Sequence, residues 1–242
     1  MGTTAIITGA SRGIGRACAL KLAKHLDNIV INSCHNKDAL DIVRSEVEQI
    51  GAECLAFSGD VGDYVFVKEM INETADRYKT IDLLINNAGI SYIGLLTDMQ
   101  KEDWDHIIST NLTSVFNCCS LTVPYMVKEK SGHIINISSM WGISGASCEV
   151  AYSATKGGVN AFTQGLAKEL APSHIRVNAL ACGAVNTEMN SSLNKEELAS
   201  LCEDIPAGRM AQPEEIAEAV YMLYTSPSYI TGEIIKIDGG YL

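Results

Sequence analysis

The period of apolar positions changes repeatedly along the chain. Residues 3–8 (TTAIIT) are a short run of the kind buried on both faces of a sheet, and 14–26 carry apolar side chains at helical spacing. The alternation continues. Strands are predicted at 29–32, 53–58, 83–86, 133–138, 176–181 and 233–237. Helices are predicted at 38–50, 64–78, 101–128, 152–171 and 213–224. Strands apolar on both faces, each followed by a helix, indicate a parallel sheet covered on both sides. Right-handed crossovers then give a doubly wound α/β sheet, a single-domain Rossmann fold spanning 1–242. Only 187–206 breaks the rhythm. It is polar and follows a strand end, where a lid over a site is expected.

Composition narrows the function classes. The 242 residues hold 18 Lys and Arg against 29 Asp and Glu, a formal charge of −11. That balance argues against nucleic acid and anionic membrane surfaces as partners. No apolar run is long enough for a membrane span, and no signal peptide is visible. Eight cysteines without C-x-x-C spacing read as reduced, mostly buried thiols of a cytoplasmic protein. Five scattered histidines give a metal site no local support.

The first strand runs into Thr8, Gly9, Ala10, Ser11, Arg12, Gly13, Ile14 and Gly15, with a helix following. Glycines at such a turn let backbone N–H groups approach a pyrophosphate, and the helix N-terminus favours its charge. The second strand ends in Asn32, Ser33, Cys34, His35, Asn36 and Lys37. The acid that meets a free ribose 2′-hydroxyl is missing there. Arg12, with Ser33, His35 and Lys37, suits a 2′-phosphate, so NADP(H) is expected over NAD. A plain solvated turn is the alternative.

Tyr152 and Lys156 are four apart on a predicted helix and share one face. A cation at hydrogen-bonding distance, with an oxidised nicotinamide, would favour the phenolate and let Tyr152 exchange a proton with a carbonyl or alcohol. Ser139 ends a strand at the edge where doubly wound sheets gather ligands. Asn111 lies on the apolar stripe of helix 101–128, where a buried amide needs partners. Structural duty and a role beside the active site fit it equally well.

These residues resemble the short-chain dehydrogenases/reductases. The resemblance spans the chain in order. It runs from Thr8–Gly15 through Asp60-Val61, the stretch Asn86, Asn87, Ala88, Gly89, then Asn111, Ser139, and Tyr152 with Lys156. It continues through Arg176-Val177-Asn178, Gly183 with Thr187, and Thr231-Gly232 to Asp238-Gly239-Gly240. It implies Tyr152 as general acid/base and Lys156 as the group that binds the nicotinamide ribose and lowers the tyrosine pKa. Ser139 would position the carbonyl, and Asn111 would anchor a water in a proton relay. Gly9, Ser11, Arg12, Gly13, Ile14, Gly15 and Ser33 would surround the phosphates. Asp60 and Val61 would meet the adenine, Asn87, Ala88 and Gly89 would line the adenosine side, and Gly183, Val185 and Thr187 would hold the carboxamide side. One departure is Cys182-Gly183 where the family often has Pro-Gly, with a small expected effect on cofactor geometry.

Within the family, the chain is most similar to bacterial 3-oxoacyl-acyl-carrier-protein reductases. The implied substrate is a ketone, delivered as a carrier-protein thioester, with Lys128 and Lys130 available to dock the acidic carrier. The arginine expected near Ser173 and His174 is missing. Tyr92, Met140, Trp141, Cys148 and Glu149 stand near the catalytic positions and could shape the pocket or simply pack. Other ketones (steroids, sugars, a modified protein side chain) and a non-catalytic nucleotide binder remain open. Ala154, Gly158, Ala161 and Gly165 form a small-residue face on helix 152–171, expected to pack against another subunit in a homotetramer, or within the chain.

Overall fold

The computed structural model describes residues 2–190 and 194–242. Seven parallel strands form one sheet in the order β3-β2-β1-β4-β5-β6-β7. The strands are β1 (Thr4–Ile7), β2 (Asn28–Ser33), β3 (Glu53–Ser58), β4 (Leu83–Asn86), β5 (Gly132–Ser139), β6 (Ile175–Cys182) and β7 (Ile234–Ile237). The main helices are α1 (Gly13–Leu22), α2 (Lys37–Ile50), α3 (Tyr64–Tyr78), α4 (Lys101–Ile108), α5 (Ser114–Glu129), α6 (Trp141–Ser144), α7 (Val150–Leu170), α8 (Lys195–Asp204) and α9 (Pro213–Thr225). Strand order reverses between β1 and β4, which opens a crevice beyond their carboxyl ends.

Side-chain alternation along each strand splits the core in two. Ala5 and Ile7 face one layer with Leu22, Leu40 and Val220, carried by α1, α2 and α9. Ile6 faces the other with Met70, Val115 and Val159, carried by α3, α5 and α7. All four residues of β1 are buried, which accounts for its unbroken apolar reading. The sheet thus holds the ends of β1, β4, β5 and β6 side by side.

One expectation needs correction and two are sharpened. The helix expected over 101–128 is interrupted: Ser109–Thr113 is a π-helical turn between α4 and α5. A π-turn adds a residue to one turn while each flanking helix keeps its own period, so short-range spacing misses it. The irregular segment 187–206 contains a 3₁₀ turn at Glu188–Asn190 and the helix α8. The part of the expected lid at 191–193 lies outside the described residues. Gly158 belongs to the chain's own packing, since a Cβ there would sit 3.1 Å from Leu112 Cδ2.

Candidate active site

The phosphate end is built from β1, α1 and the loop after β4. Gly9 has φ +65°, and a Cβ on it would stand 2.8 Å from Ala88 Cα, so only glycine fits. The Thr8 hydroxyl oxygen accepts hydrogen bonds from Asn87 N and Ala88 N, both at 3.0 Å. Asn87 Nδ2 donates to Thr8 O and Gly9 O at 2.9 Å. These bonds lock the two loops on either side of the crevice. Gly15 lets α1 seat closely, as a Cβ there would meet Gly9 O. The first turn of α1 has neither a side-chain cap nor an acidic residue. Its N–H groups and dipole are therefore available to an anion, the fit a dinucleotide pyrophosphate requires.

A cavity of about 680 Å³ runs from this loop along the strand ends. Gly9, Ser11, Arg12, Gly13, Ile14 and Ser33 line one end, with Asp60 and Val61 beside them. Asn87, Ala88 and Gly89 line its middle, and Gly183, Val185 and Thr187 one wall. Ser139, Tyr152 and Lys156 close the other end. Of the residues expected at the site, Gly15 and Asn111 stand behind the wall. The Ser33 hydroxyl donates to Ser11 Oγ at 3.0 Å. Arg12 pairs with Glu188, both largely exposed. His35 lines the cavity, while Lys37 turns away to Asp41, 3.0 Å off.

At the far end, α6 and α7 set the geometry. A Cβ on Gly142 would fall 2.6 Å from the Lys156 backbone, so α6 lies directly on α7. Ser138 Oγ donates to Asn160 Oδ1 at 2.6 Å, and Asn160 Nδ2 donates to Gly142 O at 3.0 Å. This fixes the end of β5, and with it Ser139, against the face of α7 that carries Tyr152 and Lys156. Asn111 sits in the π-turn and is buried. Its Oδ1 accepts from Ile90 N and its Nδ2 donates to Ile90 O, both at 2.8 Å. Nδ2 also reaches Thr155 Oγ1 at 3.2 Å, and the Thr155 hydroxyl donates to Tyr152 O at 2.7 Å. The side-chain amide thus ties the loop after β4 to the tyrosine helix.

Burial shapes the ionisation of the Tyr152–Lys156 pair. Lys156 Nζ donates to Ile137 O at 2.8 Å and lies 5.7 Å from the centroid of the Tyr152 ring. Tyr152 titrates above its ordinary value because burial disfavours the phenolate; hydrogen bonding to Ser139 acts the other way, and the thiol of Cys182 and the carboxylate of Glu149 add to the rise. Lys156 is held down at about 8, chiefly by burial, with Cys182 opposing. Burial, more than the neighbouring ammonium, governs the ionisation of Tyr152 in this arrangement.

Residues 3–198 match the family described as short chain dehydrogenase. The chain belongs to the short-chain dehydrogenase family. It is 43% identical over 238 residues to a 3-oxoacyl-[acyl-carrier-protein] reductase of Synechocystis, covering 98% of this chain and 95% of that one. It is 39% identical over 240 residues to the enzyme of the same name from Thermotoga maritima, covering 99% and 97%. A short-chain type dehydrogenase/reductase from Mycobacterium marinum superposes with a TM-score of 0.92 at 35% identity, over 99% of this chain and 95% of that one. This short-chain dehydrogenase is accordingly a nicotinamide-dependent oxidoreductase.

Several contributors to the dehydrogenase site escaped the sequence reading. Asn117 Nδ2 donates to Val61 O and Gly62 O at 3.0 Å and holds the loop after β3. Like Asn111 it is a buried amide on an otherwise apolar helix, and that was the available signal. Met189 and Leu201 bring the segment after β6 over the cavity. The helix bearing Leu201 announces itself through a capping box, Asn194 with Glu197, visible as N-x-x-E. Of the proposed pocket-shaping residues, Met140, Trp141 and Glu149 line the cavity, while Tyr92 and Cys148 do not. Gly183 is required beside Cys182, because a Cβ there would stand 2.8 Å from Asp238 Cα. The glycine of the departing Cys182-Gly183 pair is thus the part the backbone needs. Among the described residues no group of His, Cys, Asp and Glu is placed to hold a metal.

Proposed function

We propose that this enzyme reduces a ketone to a secondary alcohol with NADPH, and that the ketone is a 3-oxoacyl thioester of the kind named for its curated relatives. The observation that carries the reading is the convergence of Ser139, Tyr152 and Lys156 at one end of a cavity whose other end is a glycine-rich anion cradle. When bound, the nicotinamide supplies the hydride. Ser139 and Tyr152 hold the carbonyl oxygen, and Tyr152 gives its proton to that oxygen as it becomes an alkoxide. Lys156 anchors the ribose and, with Asn111 behind it, leads the replacement proton to the phenolate. Tyr152 carries the proton this direction needs at neutral pH, where a phenol is in its acid form.

NADP(H) is favoured by Arg12 and by the lack of an acid at the end of β2, where Ser33 and His35 line the cavity. For a carrier-protein partner, Lys128 and Lys130 are exposed at the end of α5 and offer the positive charge that an overall −11 otherwise withholds. No described helix is long and apolar enough to cross a membrane, and all eight thiols are free, in keeping with a cytoplasmic enzyme. A homotetramer is retained on the exposed small residues of α7. The test is NADPH oxidation with acetoacetyl thioesters beside a panel of unrelated ketones. Turnover of the thioesters supports the reading, turnover of another ketone alone moves the substrate class, and NADPH binding without oxidation of any contradicts it.

A further inference from the structure

We propose that Glu149 makes this site select ketones that carry a cationic group a few carbons from the carbonyl. The inference rests on ketone reduction as read above and revises the substrate class of that same site, making a neutral 3-oxoacyl thioester the poorer substrate.

Glu149 lines the tyrosine end of the cavity and is half-buried. It occupies the N-cap position of α7, yet its side chain caps nothing. Tyr152 follows three residues later, in the first turn of the helix that Glu149 precedes. The carboxylate is close enough to oppose ionisation of the Tyr152 hydroxyl, and burial raises its own pKa while the Trp141 side chain resists the rise. Among the described residues Glu149 makes no ion pair. The other carboxylates of the cavity are differently employed. Asp60 accepts from Gly62 N at the adenine end, and Glu188 is paired with Arg12. Lys156, the one lysine lining the cavity among the described residues, donates to Ile137 O and is assigned above to the cofactor ribose.

A ketone held by Ser139 and Tyr152 covers Glu149. If its chain is neutral, it strips water from a carboxylate and returns nothing, which is costly. If the chain carries an ammonium, the two charges meet in a partly dry site and form the stronger class of hydrogen bond or ion pair. Glu149, hydrogen-bonded by the Trp141 side chain, thus acts as a charge filter beside the reacting carbon.

The test compares two methyl ketones of the same shape, one ending three carbons from the carbonyl in trimethylammonium, the other in tert-butyl. Wild type and E149Q are assayed for NADPH oxidation. The wild type is expected to favour the ammonium ketone in kcat/KM by roughly ten-fold or more. E149Q, which keeps size and shape, should lose that preference, with kcat/KM falling for the ammonium ketone and holding or rising for the tert-butyl ketone. A structural role for Glu149 would instead change both ketones alike. Equal kcat/KM for the pair in the wild type, or a ratio unchanged in E149Q, overturns the inference and leaves ketone reduction standing. Failure to oxidise NADPH with either ketone and with an acetoacetyl thioester overturns both.

Discussion

Lys156 illustrates at the scale of one residue how a functional site works against stability. Burial holds its pKa at about 8, against 10.5 for an exposed amine. Between those values the unfolded chain binds more protons than the folded one, so stability rises with pH across that window. Below pH 8 the buried ammonium is a standing cost. Lys156→Met should therefore raise the thermal midpoint at pH 7, by an amount on the order of 2 kcal/mol, with the unpaired Ile137 carbonyl taking back part of it. The gain should shrink as pH climbs from 8 towards 10.5. Thermal melts across that range check it, and a lower midpoint at pH 7 contradicts it. Arg12 gives the second residue-scale prediction. Its pair with Glu188 is exposed and contributes little, so it yields readily to a phosphate. Arg12→Ala should weaken NADPH binding by about ten-fold and NADH binding far less, read by nicotinamide fluorescence. Equal losses would remove the basis for NADP preference.

The π-turn at Ser109–Thr113 is the element that sequence periodicity could least reveal. Trp104, Ile107 and Ile108 belong to one helix and Val115 and Cys119 to the next, and each set keeps its own apolar stripe. Only the buried Asn111 betrayed the join, and its partners could not be named without the fold. Asn111→Ala strips both polar groups of Ile90 of their buried partner. It should cost about 2 kcal/mol in urea denaturation and lower kcat, because the loop after β4 is then free of α7. A loss of activity with stability intact would move Asn111 from a structural tie to the reaction itself. The four-residue α6 shows the same limit from another side. It is too short to have a period, and its importance lies in Gly142 letting it rest on α7. Where an element carries a long periodic run or a glycine-rich turn, as in α3, α7 and the loop after β1, its place is legible from the residues alone.

The whole molecule shows what local reading cannot supply, namely which surfaces meet. The small-residue face of α7 allows contact with another subunit or packing within the chain, and at Gly158 it is the close approach of Leu112 that uses it. Ala154, Ala161 and Gly165 remain exposed on α7. If these three form a contact between copies, Ala161→Arg should shift the protein to smaller assemblies in light scattering without altering the fold. A wild-type monomer at micromolar concentration would remove the tetramer. The parallel sheet, by contrast, was readable because buried strands and their helices leave a pattern in every segment, and its switch point placed the glycine loop, Ser139 and the Tyr152 helix on one edge.

Tyr152 is the proposed proton donor of this cavity, and Tyr152→Phe removes only the hydroxyl that would carry that proton. Single-turnover and steady-state NADPH oxidation should fall by roughly 10²–10⁴-fold in the variant, while nicotinamide fluorescence shows NADPH bound as in the wild type. Activity within a factor of a few of wild type would contradict the account.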